Sequence, residues 1–175
     1  YLEDTKNEKL QVVAYRALRH AHPKGTLARA KEYADSKNLS LLREIAVSLR
    51  GIAFNDCRSI LESLVDGYDG INRFYLEALG VAFHGKEKQV YDEIVYKRFP
   101  EPSSWGWKAK NLAWRLHTTE AIRDLDLCIR AQKPPVDEFR LLAMAFASFR
   151  SDEERKDRIN RCLLYTSDAA DEVVS

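Results

Sequence analysis

Cysteine is scarce in this chain of 175 residues. There are three, and none stands in a C-x-x-C pair. A zinc knuckle, a dithiol redox pair or a C-x-x-C-H haem attachment needs that spacing, so this stretch carries none of them. Long apolar runs are missing too: none approaches the ~18 residues of a membrane helix. Strict apolar/polar alternation over strand lengths is absent, and no Asn-Gly or Asp-Gly turn lies between apolar runs, which argues against hairpins. No Gly-rich phosphate loop and no Ser/His/Asp or Cys/His grouping can be assembled.

Charge is plentiful and balanced. Lys and Arg number 28 against 27 Asp and Glu, a formal +1. The last stretch stands apart. From Cys162 the chain reads CLLYTSDAADE, and this run resembles one reading frame through a sequencing-library adapter. We therefore expect 162–175 to be read-through rather than native sequence, and exclude it from fold reasoning. Its removal takes away Asp168, Asp171 and Glu172 and leaves residues 1–161 at +4. That is short of a dedicated nucleic-acid charge. The first residue is Tyr1, so the native part is expected to be an internal piece of a longer protein.

What the sequence has in quantity is helical periodicity. Leu10, Val13, Ala14, Ala17 and Leu18 recur at helical spacing; so do Cys57, Ile60, Leu61, Leu64 and Val65, and again Ala109, Leu112, Ala113 and Leu116. Such spacing lays apolar groups along one helix face. Thr5-x-x-Glu8 and Ser151-x-x-Glu154 read as capping boxes, and Ser40 and Thr118 as N-caps. Pro23-Lys24-Gly25, Gly67 to Gly70, Pro100-Glu101-Pro102 and Pro134-Pro135 are breaks. These signals predict helices near 5–21, 26–36, 40–51, 55–66, 71–84, 86–98, 105–116, 119–132, 136–149 and 152–161.

The odd-numbered helices align on an alanine. They read VVAYRAL, EIAVSL, LEALGVA, NLAWRL and LLAMAF around Ala14, Ala46, Ala78, Ala113 and Ala143, at steps of 32, 32, 35 and 30 residues. A small residue at one place in each unit lets neighbouring helices approach. The predicted architecture is all-α: an α-solenoid of about five HEAT-like helix pairs over 1–161. Tetratricopeptide units have a similar length, but their Trp-x-x-Leu-Gly-x-x-Tyr pattern does not recur.

Candidates for chemistry reduce largely to structure. His20 and His22 are two apart, on different helix faces, beside the helix-ending Pro23; a histidine there is favoured by the dipole alone. In PEPSSWGW, Trp107 is expected to share a core-sealing face with Trp114, and Trp105 to be the exposed ring. Trp105 and Trp107 are the candidate partner contacts. Asp66 to Asp69 falls short of a calcium loop and reads as a polar turn. Asp124 and Asp126 lie on different helix sides. Cys57 sits within an apolar stripe. DEERKDR at 152–158 reads as a solvated face. No catalytic, cofactor-binding or metal-ligating residue emerges.

Two stretches go beyond a generic repeat. Asn72 to Gly80, NRFYLEALG, resembles the DRWYLEALG segment of large secreted multidomain proteins of planctomycetes, verrucomicrobia and bacteroidetes. Ala113 to His117, AWRLH, resembles their WRLHP segment at a comparable distance downstream. Those proteins are described as membrane-bound dehydrogenases or haem-binding proteins. The resemblance covers about 70–161 and implies a sugar-dehydrogenase-like propeller before the helical region and a c-type cytochrome with C-x-x-C-H after it. Asn72, Phe74 and Thr118 stand where the family has Asp, Trp and Pro. The resemblance implies a non-catalytic scaffold or inter-domain spacer in a periplasmic or secreted protein, without cofactor of its own and with any haem c on a separate domain. Its partners would be neighbouring domains of the same chain or another protein, with no nucleic acid and no membrane segment. The alternatives are a stand-alone HEAT-type protein-binding adaptor and a HEAT-like DNA-binding or glycosylase-type enzyme. The last needs Trp105, Trp107 and Asp124 to converge beside several Arg.

Overall fold

The computed structural model describes residues 7–132. Among them there are eight helical runs and no strand. They are α1 (Glu8–Ala21), α2 (Thr26–Tyr33), α3 (Leu39–Ser48), α4 (Phe54–Gly67) and α5 (Arg73–Phe83). Then come α6, in three parts (Glu87–Val90, a π turn Tyr91–Val95, and Tyr96–Arg98), α7 (Trp107–Leu116) and α8 (Thr119–Gln132). Single 3-10 turns at Pro23–Gly25 and Pro102–Ser104 occupy two of the Pro-containing breaks. The expected helices at 136–149 and 152–161, Ser151, Ala143 and the 162–175 tail lie outside the described residues.

The helices pack in two rows. α1 lies against α3, α3 against α5, and α5 against α7. On the other side α2 meets α4 and α4 meets α6, while α8 covers α7 and the Pro102–Ser104 turn. The rows bury a common core. The α4 stripe of Cys57, Ile60, Leu61, Leu64 and Val65 is wholly buried, as is the α7 stripe of Ala109, Leu112, Ala113 and Leu116. Of the aligned alanines, Ala46, Ala78 and Ala113 are buried and Ala14 is partly so.

The α1 stripe behaves differently. Leu10 and Val13 are exposed, and Tyr15 is the buried residue, its hydroxyl 2.9 Å from Ser48 Oγ. Among the described residues α1 has a row neighbour only at α3. It therefore buries the face turned to α3, and the rest of its apolar stripe stays outside.

Local chemistry fixes the ends. The cap of α3 is Asn38 rather than Ser40. Its Oδ1 accepts from the backbone N–H of Ser40 and Leu41, and its Nδ2 donates to Glu8 O (2.9 Å) and Gln11 Oε1 (2.8 Å). One buried amide thus satisfies two orphan donors of α3 and ties that helix to α1. Asn7 and Asn72 cap α1 and α5 in the same way. Thr118 does cap α8, through Ala121 N–H. α7 starts two residues later than predicted, because Trp105 and Gly106 are extended after the 3-10 turn.

The DGYD stretch, expected as a polar turn, is the last two residues of α4 and the two that follow, held to its neighbours. Arg98 grips Asp66 with two nitrogens, at 2.5 and 2.8 Å. Asp69 Oδ1 accepts from Ile71 and Asn72 N–H, both at 2.8 Å, and these two bonds, Asn72 first, hold its carboxyl below the usual range. Gly70 has φ +87, and a Cβ there would fall 3.0 Å from Lys108 N at the first turn of α7. Only glycine suits both the left-handed backbone and the close approach.

Asn38→Ala should lower unfolding free energy by about 2 kcal/mol, since it removes a cap and leaves buried groups unpaired. Ser40→Ala should stay within about 0.5 kcal/mol. Urea unfolding of both variants checks the assignment, and equal losses would contradict it.

Candidate functional site

The side of the odd-numbered row away from the core carries a groove of about 750 Å³ that crosses α1, α3 and α5. Each helix contributes residues three or four apart, which share one face. Val12 and Val13 come from α1, Val47 from α3, and Phe74, Ala78 and Val81 from α5. Phe74 is 74% exposed and Val13 59%. Apolar groups of this size in one depression are what docking surfaces present.

Charge flanks the apolar floor. On the α1–α3 seam Arg16 pairs with Glu44. The Arg16 bond is the main reason the Glu44 carboxyl titrates below its ordinary range, with Arg19 and Arg43 adding to it. Arg43 itself donates to Ser40 Oγ, at 3.1 Å.

At the α5 edge, Glu77 accepts from Arg73 Nε at 3.0 Å and lies 3.2 Å from Arg115 Nε of α7. The second contact is a charge pair without hydrogen-bond alignment. The Arg73 guanidinium also stands 5.3 Å from the Trp114 ring centre, a cation–π distance. Arg115 lies directly over Gly80, where a Cβ would fall 2.0 Å from its Cζ. NRFYLEALG and AWRLH, 33 residues apart from Gly80 to Ala113, therefore meet as one seam. The expected Arg73–Glu77 pair is present. Sequence reasoning missed the third member, Arg115, because it comes from another helix.

His117 closes this seam. It ends α7 in the left-handed region at φ 53, with its ring 5.6 Å from Trp114. Burial holds its pKa below the ordinary histidine value, assisted by Arg115 and opposed by Glu77 and by its bond to Arg115 O.

The tryptophans reverse the expectation. Trp105, the expected exposed ring, is 3% exposed and donates its indole N–H to Phe99 O at 2.9 Å. Trp107, expected in the core, is 50% exposed, with Lys110 Nζ 5.5 Å from its ring centre. The reason is local. The extended backbone at 105–106 turns Trp105 inward under α8, whose Gln132 bonds Trp105 O. That leaves Trp107 at the helix start, outside the buried face. Trp114 is buried as expected, although its indole N–H meets no acceptor.

Asp124 is buried, accepting from Tyr91 O–H at 2.6 Å and Arg123 Nε at 3.0 Å. Asp126 pairs with Arg130. Trp105, Trp107 and Asp124 thus serve three separate sets of contacts. His20 and His22 are exposed. Among the described residues no three His, Cys, Asp or Glu side chains gather as a metal site, and no helix is long and apolar enough to cross a membrane. Cys57 and Cys128 are both buried, and burial pushes the Cys57 pKa up.

Because the folded pKa of His117 is depressed, the unfolded chain takes up its proton first on acidification. Its contribution is complete above about pH 6.5 and is lost as pH falls through the folded value. His117→Asn keeps a residue that tolerates φ > 0 and removes the titration. Urea midpoints at about pH 7.5 and 5.5 should fall less with acid in the variant. An identical fall in both proteins would show that His117 contributes nothing.

The chain matches no protein-family model, no curated protein and no solved structure, so what this site can do follows from its own geometry.

Proposed function

We propose that the chain is a non-catalytic α-solenoid of HEAT-like helix pairs that holds other protein segments in place. The observation that carries this reading is the groove. Three successive odd-numbered helices share one exposed apolar floor, rimmed by ion pairs that span from helix to helix. The packing of α1 on α3, α3 on α5 and α5 on α7, with Ala46, Ala78 and Ala113 buried in that row, supports the solenoid architecture. The unit would act by geometry, as a stiff body that fixes what it touches.

The meeting of NRFYLEALG and AWRLH in one seam supports the resemblance to the helical region of secreted dehydrogenase–cytochrome proteins. There the element would set the distance between an oxidising domain and a c-type haem domain, and the segment held would be a neighbouring domain of the same chain. The exposed Val13, Val47 and Phe74 equally suit a stand-alone adaptor that takes its segment from another protein.

The unbroken gene should encode a propeller upstream and a C-x-x-C-H downstream. In that full protein, deleting the helical segment should abolish haem reduction by substrate while oxidation with an artificial acceptor persists. Flanks lacking both modules, or electron transfer untouched by the deletion, would leave only the adaptor reading.

A further inference from the structure

We infer that the cavity in the corner between α1 and α2 binds a terminal phosphate group, carried by inorganic phosphate or by a phosphate monoester. This goes beyond the docking reading, because the cavity shares no lining residue with the groove.

Helical spacing builds one wall. Tyr15, Leu18, Arg19 and His22 recur three or four residues apart, so they follow one face of α1 down to its cap. The chain then turns through Pro23–Gly25, and Thr26 and Arg29 of α2 supply the other wall. The cavity measures about 140 Å³. That is room for about five waters at ~30 Å³ each, or for one phosphate group and the first atoms of its stem.

The lining is basic. Arg19, His22 and Arg29 stand on it, and no Asp or Glu does. Arg29 meets Glu32 at 3.3 Å, further along α2 and outside the lining. Arg19 has no such partner. Among the described residues it makes no hydrogen bond and no ion pair. Its charge reaches Glu44 through space, but that carboxylate is bonded to Arg16. The Arg19 guanidinium thus keeps its N–H donors for a ligand. Tyr15 is occupied elsewhere: its O–H donates to Ser48 Oγ, whose own proton goes to Ile45 O. With Leu18 it gives the cavity an apolar side, where water is excluded and the field of the bases is stronger. α2 begins here without a side-chain cap, and its positive end adds to that field.

This arrangement suits phosphate over other anions. Cationic groups come from both walls and match an oxyanion with oxygens on several sides. A carboxylate offers two oxygens in one plane, which a single guanidinium already satisfies. A phosphate monoester carries about −1.5 to −2 charge at neutral pH, against three basic side chains. A nucleic-acid phosphate has chain on both sides and needs an open track of cations rather than a helix corner.

The test is equilibrium dialysis of the full chain against inorganic phosphate, glycerol 3-phosphate, a short phosphoserine peptide and acetate, at one ionic strength so that screening is equal. The variants are Arg19→Gln, Arg29→Gln and Lys24→Gln. Lys24 lies on the turn between the helices but not on the cavity, so its loss removes the same charge from outside the site. All three positions are at least partly exposed, and circular dichroism should match the wild type. The expected result is saturable phosphate binding at about millimolar concentration. It should weaken about ten-fold in Arg19→Gln and in Arg29→Gln, and change less than about two-fold in Lys24→Gln. Arginine Nε–H resonances of the unmutated chain give a second readout, in which phosphate should shift those lost in Arg19→Gln and Arg29→Gln. Tighter binding of glycerol 3-phosphate or of the peptide would support the site and name a small ester or a phosphorylated protein as the source; equal affinities would support it with phosphate alone as the ligand. Absence of saturable binding, equal weakening in all three variants, or acetate bound as tightly as phosphate would overturn the inference and leave the docking reading untouched.

Discussion

Helices α1, α3, α5 and α7 lie side by side because each covers part of its apolar face with the next. Ala46, Ala78 and Ala113 are among the buried residues of this row, and Gly80 of α5 leaves room for Arg115 of α7. Amphipathic helices this short do not hold their shape alone in water. Each depends on a neighbour to cover its apolar face, and the close approach of the odd-numbered row makes that cover continuous. Lys86 secures the arrangement at one end. Its buried ammonium lies 2.6 Å from Ala82 O and 3.4 Å from Leu49 O, where the carbonyl ends of α5 and α3 converge. A cation there meets two helix C-termini at once. Burial lowers its pKa, and among the described residues no carboxylate bonds to it.

The α5–α7 seam shows what such stacking asks of a sequence. A glycine inside a helix costs about 1 kcal/mol relative to alanine. At Gly80 that cost is offset by the room it gives Arg115 to lie across α5 and reach Glu77. Arg73 completes the arrangement from one turn away, over the face of Trp114. Tyr91 and Asp124 tie α6 to α8 on the other row, from within the π turn. Pairs across helices of this kind fix which helix lies beside which, while the apolar stripes fix only that some helix must.

The same rule explains the groove. Stacking buries the face of each helix that points at its neighbours and at the second row. Among the described residues the remaining face of the odd-numbered row has no third layer, so its apolar groups lie exposed between ion pairs. That face combines shape and exposed apolar area with balanced charge around it, and the functional reading rests on it.

Much of this was written in the sequence. Helical spacing with few strand signals determined the class, the breaks placed the described helices within a few residues, and the alanine rhythm picked out Ala46, Ala78 and Ala113, which are buried. The Arg73–Glu77 pair and the break after α4, where Asp69 bonds Ile71 and Asn72, were legible because those partners are local, whereas the Arg98 partner of Asp66 was not. Tertiary structure alone decided the rest, for one physical reason: burial depends on what lies opposite, which is a non-local property. Asn38 became the cap of α3 because it could also bond α1. Trp105 and Trp107 exchanged places because a bend of extended backbone sent the first under α8. Leu10 and Val13 stayed exposed because, among the described residues, α1 has a row neighbour on one side only. Glu77 gained a second arginine from another helix, and the groove was formed by three helices that no single stretch of sequence contains.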